Sequence, residues 1–303
     1  MDIAYATNFG TLFKGKVEEL FESSTFKIYR RKVNLILTSP PFPLNTKKKY
    51  GNLQGQDYIN WLSGLAPMFS EILAADGSFV IELGNAWEPK RPIMSTLSLR
   101  TLLAILENGK FVLCQQFVWY NPARLPTPVQ WVNIKRTRVK DSFTNIWWMS
   151  KTDNPKAYNR NVLVKYSDNM KNLLEKQQYN AGKRPSEHNI GRTSFLTNNT
   201  GAIPSNVLIF PNTKSKTKYQ DYCKENDLYP HPARMPTEIP DFFIRFLTEP
   251  GDIVLDPFAG SNTTGAVAEK LGRQWISVEP DYDYIKGSLG RFDPSNIVNS
   301  SIR

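Results

Sequence analysis

The sequence predicts an α/β fold organised as a doubly wound, mostly parallel sheet. Three observations predict it. VNLILT, SFVIEL and DIVLD are near-continuous apolar runs, the pattern of strands buried on both faces. Segments with helical spacing alternate with such runs, and strand–helix alternation builds a parallel sheet covered by helices. Between the two ordered halves lies a polar, Asn- and Lys-rich stretch without clear periodicity, which reads as an insertion.

In chain order, the strand 33–38 ends abruptly at SPPFP, because proline cannot continue a ladder. PLNTKKKYGNLQGQ is polar, basic and glycine-containing, hence loop. QDYINWLSGLAPMFSEILAADG carries Tyr58, Trp61, Leu62, Leu65, Phe69 and Leu73 at helical spacing and is expected to form one helix ending at Asp76-Gly77. SFVIELG is the next buried strand. STLSLRTLLAILENG is a helix stopped at Gly109. FVLCQQFVWY and FTNIWWMS are strands joined by NPARLPTPVQWVNIKRTRVKD, with Trp131, Trp147 and Trp148 expected in the core. From residue 236 on, PTEIPDFFIRFLTEPG is a helix, DIVLDPF a strand, AGSNTTGAVAEKLG a loop and helix, QWISVEPD a strand and PDYDYIKGSLGRF a helix.

The 303 residues suffice for one large α/β domain with an insertion. The expected organisation is 1–150 as one half of the domain, 151–225 as the inserted module and 226–303 as the other half. The net charge of +10 points to a polyanionic partner. The insert contributes to it, with 13 Lys and Arg against six Asp and Glu. Cys114 and Cys223 lack CxxC partners, and His188 and His231 are the only histidines. No disulfide framework and no metal site is therefore expected. No apolar run approaches the about 18 residues of a membrane span. The first 20 residues lack the pattern of a secretory signal, so a reducing cytoplasm is the expected location and no membrane partner is expected.

Two landmarks carry chemistry. ILTSPPFP fixes a Ser and a Phe rigidly at a strand tip. IVLDPFAGSNTTG places a small-residue turn between a strand and a helix, where α/β sheets bind ligands. Gly260 permits close backbone approach there, and the amides of Ser261, Asn262, Thr263 and Thr264 can face a ligand. The turn lacks GxGxxG spacing, which disfavours a dinucleotide. Glu279 ends the following strand, placed to accept hydrogen bonds from a ribose diol. Asp256 alone reads equally as a capping acid, and Glu279 alone as a solvated strand end. Together they indicate an adenosine-containing cofactor.

DPFAGSNTTG resembles motif I, the S-adenosylmethionine loop, of DNA amino-methyltransferases. TSPPF resembles their motif IV, the catalytic tetrapeptide. Motif IV precedes motif I here, which is the order of the permuted beta class, with the target-recognition region between them. Flanking segments, among them DGSFVIELG, NPARLPTPVQWVN and HPARMP, match too, so the resemblance covers nearly the whole chain. It implies a circularly permuted, Rossmann-like S-adenosylmethionine-dependent methyltransferase fold, with 151–225 as the target-recognition region. Asp256, Phe258, Gly260, Ser261, Asn262, Thr263, Thr264 and Glu279 then bind the cofactor, and His231 in the motif X-like HPARMP lies beside its methionine end. His231 reads equally as a helix-entry residue. Serine in the tetrapeptide is associated mostly with cytosine-N4 methylation, with adenine-N6 methylation as the alternative. A basic DNA-binding relative that has lost catalysis is the other reading. FKGKVEEL departs from the family pattern, since Lys16 follows Gly15 where an Asp is usual. An amine cannot accept a hydrogen bond from an adenine amino group, so that contact must come from elsewhere.

The implied partner is double-stranded DNA, with the target base flipped out of the stack. Ser39 and the Pro40 carbonyl are acceptors for an exocyclic amine, Pro41 helps fix that carbonyl's direction, and Phe42 can stack on the base. Lys47, Lys48 and Lys49 either track the phosphate backbone or form a solvated run. Arg136, with Lys135, Arg138 and Lys140, offers the same choice. Arg184 and His188 in the insert are candidates for reading base edges. A monomer or weak dimer suffices, and a restriction endonuclease acting separately on the same site is a possible companion.

Overall fold

A computed structural model describes residues 1–42, 53–212 and 217–302. Lys47, Lys48 and Lys49 lie outside the described residues. Twelve strands occur among those described: β1 (Asp2–Thr7), β2 (Gly10–Lys14), β3 (Val33–Thr38), β4 (Leu73–Leu83), β5 (Val112–Tyr120), β6 (Phe143–Ser150), β7 (Gly182–Lys183), β8 (Asn189–Ile190), β9 (Val207–Ile209), β10 (Ile253–Asp256), β11 (Gln274–Glu279) and β12 (Ile297–Ser300). Ten of them form one sheet in the order β12-β1-β2-β11-β10-β3-β4-β6-β5-β9. The five from β2 to β4 in that order are mutually parallel, and β6 runs antiparallel between β4 and β5.

The central strands alternate between two apolar layers. Phe79, Ile81 and Leu83 of β4 join one core cluster with the helices Gly55–Gly64, Ala66–Ile72 and Leu97–Gly109. Val80 of β4, with Leu35 and Leu37 of β3, joins the other, beneath the helices Glu238–Leu247 and Thr263–Lys270. The sheet is thus doubly wound and mostly parallel. Burial on both faces explains why the central strands read as continuous apolar runs.

Three local differences have physical reasons. The helix expected across 56–77 is two helices meeting at Leu65, because Pro67 starts the second and cannot donate into the turn before it. It ends at Ile72, and the backbone extends from Leu73 to open β4. At the end of Leu97–Gly109 the left-handed residue is Lys110, at φ 52°, while Gly109 stays helical. Its helical place has a packing reason, since a Cβ at Gly109 would meet the Phe111 ring at 2.3 Å.

Internal contacts divide the chain into one unit of 1–157 with 206–303 and a second, Tyr158–Ser205. The second unit holds the helix Asp168–Lys176, the β7–β8 hairpin and an edge-to-face pair of Tyr179 and Phe195. It is shorter than the 151–225 stretch of altered composition. Val207–Ile209 lies in that stretch yet pairs with β5 as an edge strand of the main sheet. Tyr219 and Cys223 on the helix Lys218–Glu225 are buried.

Candidate active site

The strands β3 and β10 are parallel neighbours, with Leu255 opposite Ile36. From β10 the chain crosses to β11 on one side, and from β3 it crosses to β4 on the other. This is the switch point where open α/β sheets bind ligands. It brings SPPF and DPFAGSNTTG together at adjacent strand ends.

Asp256 joins them. Its buried carboxylate accepts from Thr38 Oγ1 at 2.7 Å and from the Phe258 N–H at 3.2 Å. Burial pushes its pKa up, opposed by these bonds and one from Thr264. Asp256 therefore spends acceptors on fastening the two tips. The turn after it rises through Gly260, at φ 51°, whose N–H donates to Glu279 Oε2 at 2.7 Å. A Cβ at Gly260 would lie 3.1 Å from His231 Nε2. Asn262, also left-handed at φ 52°, is fully buried; it donates to the Tyr5 hydroxyl and accepts from Ser277 Oγ. Its side chain leaves no room for a Cβ at Gly265, which would approach Asn262 Oδ1 to 2.3 Å. Ser261, Thr263 and Thr264 are buried as well. Their hydroxyl side chains thus belong to the scaffold of the turn. Phe258 packs edge-on against Trp61 with ring centroids 5.5 Å apart.

Glu279 closes this half of the site. Its second oxygen accepts from the Asp281 N–H at 2.9 Å. Burial raises its pKa to about 7 despite these two backbone donors. Each oxygen keeps a further lone pair for a hydroxyl. His231 packs edge-on against Tyr284, with centroids 4.3 Å apart. Burial drives its pKa down to about 4, so the ring is neutral near pH 7. Its Nδ1 accepts from the Ala233 N–H, and its backbone N–H donates to the Tyr219 hydroxyl. The residues thus form a tight turn cleared by glycine, with a carboxylate one strand away, which fits an adenosine-bearing ligand.

The other half is a cavity of about 200 Å³ lined by Ser39, Phe42, Glu82, Trp119, Asn121, Arg124, Thr144 and the 233–235 segment, among others. Glu82 of β4 is buried and hydrogen-bonds the Ser39 side chain. Desolvation raises its pKa to about 7, while the Ser39 bond and the Arg124 guanidinium hold it down. Arg124 Nη1 donates to the Phe143 carbonyl at 3.1 Å. Pro40 is buried and Pro41 half-buried at the tip. The Phe42 ring rests on Gly84, where a Cβ would approach Phe42 Cδ2 to 2.4 Å.

This half-site resembles a slot for a planar ring with a polar substituent. In chain order the same architecture matches the DNA methylase family over residues 33–289. The chain belongs to this family of DNA methylases. It is 42% identical over 301 residues to the type II methyltransferase M.PvuII of Proteus hauseri, covering 99% of this chain and 88% of that one. It is 26% identical to the type II methyltransferase M.ScaI of Streptomyces caespitosus, covering 95% and 83%. A solved structure of the PvuII DNA methyltransferase, described as cytosine-N4-specific, superposes with a TM-score of 0.77 at 37% identity, covering 97% of this chain and 90% of that one.

The methylase's other expected residues are dispersed. Arg136 is exposed, at φ 54°, in the connection between β5 and β6. Arg184 and His188 lie within the second unit, where the Arg184 N–H donates to the His188 carbonyl at 2.8 Å across the β7–β8 turn. Lys16 is exposed before the helix Val17–Glu22, and its N–H donates to Glu19. Sequence reasoning missed three residues. Glu82 was concealed inside the apolar run SFVIEL, where it is the one acid. Gly84 follows it. Arg291, half-buried and with its pKa lowered to about 10 by desolvation, lies over the Tyr219 ring at 4.4 Å and donates to Ser261 Oγ at 2.8 Å. Arg291 lies in none of the motifs quoted above, whereas Glu82 and Gly84 lie within DGSFVIELG. Among the described residues no helix is long and apolar enough to cross a membrane.

Proposed function

We propose that this DNA methylase is cytosine-N4-specific and methylates the exocyclic amine of a cytosine flipped from double-stranded DNA, with S-adenosylmethionine as donor. One observation carries the reading. Ser39, at the tip of a rigid Ser-Pro-Pro-Phe strand end, is hydrogen-bonded to a buried carboxylate whose pKa is near 7. The cytosine-N4 specificity of the PvuII relative supports it.

An exocyclic amine is a poor nucleophile because its lone pair is delocalised into the ring. Ser39 Oγ and the Pro40 carbonyl accept from its two N–H groups and favour a localised, tetrahedral nitrogen. Both prolines have locked φ, so that carbonyl is held in one direction. Phe42 stacks on the base and is kept in place by Gly84. As the nitrogen gains a methyl group it must lose one proton, and Ser39 passes it to Glu82, a base tuned near the working pH. When bound, the sulfonium cofactor supplies an electrophilic methyl group with a good leaving group behind it. Gly260 with its neighbouring amides, Glu279 and His231 hold that cofactor in line with the amine. Phe258 walls the same turn.

The basic runs, Lys47 to Lys49 and Lys135 to Lys140 with Arg136, contact phosphates. Arg184 and His188 read base edges from the target-recognition region. One strand is modified per visit, so a monomer or weak dimer suffices. A prokaryotic cytoplasm and a restriction endonuclease acting separately on the same site complete the reading. Digesting DNA methylated by the pure protein to nucleosides, followed by mass spectrometry, tests it. N4-methylcytosine is expected, and N6-methyladenine in its place overturns it.

A further inference from the structure

We infer that Leu125 is the wedge that enters the duplex when the target base leaves it. The inference rests on the base-flipping reading above. The turn 121–128 lies at the catalytic cavity, since Asn121 and Arg124 both line it. This turn is fastened on every side. The Asn121 N–H donates to the Ser142 carbonyl at 2.9 Å, and the Arg124 N–H to the Asn121 carbonyl at 3.1 Å. The Ala123 N–H donates to Asn121 Oδ1. Lys140 Nζ reaches the carbonyls of Pro122 and Arg124, at 3.3 and 3.5 Å. The Asp141 N–H donates to the Thr127 carbonyl at 2.9 Å. Pro122, Pro126 and Pro128 lock three φ angles in the same stretch.

At the middle of this fixed turn Leu125 is 77% exposed. It contributes little to the core, and the turn presents it to solvent immediately beside a residue that lines the cavity. Proteins that open a base step insert an apolar side chain into the stack, which takes over the stacking of the departed base and delays its return. A wedge must be rigid, apolar and next to the receiving pocket. Leu125 meets all three requirements. Val139, on the same connection, is 87% exposed. It lies between Arg138 and Lys140 and adjoins no cavity-lining residue, so it serves as the matched control.

The test uses the full-length protein and a duplex carrying its site, mapped by modification sequencing, with pyrrolocytosine, a fluorescent cytosine analogue that still pairs with guanine, replacing the target cytosine. Wild-type protein and Val139→Ala should raise the fluorescence on binding, and Leu125→Ala should lose most of that rise. On cytosine duplexes, Leu125→Ala should turn over about tenfold more slowly on the matched target but approach wild type when the target is mispaired, because the opening cost is then smaller. Equal fluorescence for wild type and Leu125→Ala, or equal loss on matched and mispaired targets, overturns the wedge. A wild-type protein that methylates its site yet never raises the fluorescence overturns base flipping itself.

Discussion

In the proposed mechanism Glu82 takes up the proton the amine loses, and its environment decides when it can accept one. Burial raises its pKa to about 7. A base is competent only when deprotonated, so turnover should rise with pH up to about 7 and level off above it. Arg124 favours the carboxylate form. Arg124→Met should therefore shift the midpoint of the pH–rate profile upward, read from single-turnover rates in a pH series. Glu82→Gln and Ser39→Ala should lower turnover by about 10²- to 10⁴-fold, the usual range for a general base. Calorimetric binding of S-adenosylmethionine should be unchanged, and a parallel loss of binding would count against the assigned roles. At this scale the sequence showed Ser39 and Phe42, because proline pairs beside a hydroxyl are rare. It concealed Glu82, because a strand buried on both faces offers no alternation from which an acid could stand out.

The turn after β10 depends on backbone shape more than on its side chains. Gly260 takes a left-handed φ, and its missing Cβ clears the space beside His231. A Cβ there costs about 1–2 kcal/mol in backbone strain alone. Gly260→Ala is expected to weaken S-adenosylmethionine binding about five- to thirtyfold by that conversion, with circular dichroism unchanged. Full affinity in the variant would mean that the turn does not hold the cofactor. This element was legible because strand, small-residue turn and helix follow one another directly. Asp256 and Asn262 were legible as cofactor-binding candidates, but not as fasteners. That they tie elements together depends on partners as distant in sequence as Thr38 and Tyr5. The strands β1, β2 and β12 were not legible, since short edge strands of mixed polarity carry little period-2 signal. The break at Leu65 was, in principle, written in Pro67.

Across the whole molecule, positive charge and recognition are separable. The net charge of +10 supplies affinity without sequence information. The second unit, Tyr158–Ser205, carries Arg184 and His188. Raising salt should weaken binding to any duplex alike, with a linear dependence of log affinity on log salt. Arg184→Ala with His188→Ala should instead narrow the gap between the cognate site and one with a single changed base pair, by about 1–3 kcal/mol for each bidentate pairing to a base that the change removes. Competition binding at two salt concentrations separates the two effects. An unchanged gap would remove base reading from these residues.

The hydrogen bond from Thr38 to Asp256 spans 218 residues of chain. During synthesis β3 emerges long before β10, so one edge of an apolar strand waits for its neighbour until most of the polypeptide has left the ribosome. Such late, non-local pairing slows folding and exposes the strand to wrong partners. It also means that a nascent or truncated chain lacks one wall of the catalytic cleft. The cleft between these two strand ends is therefore complete only once β10 has been synthesised.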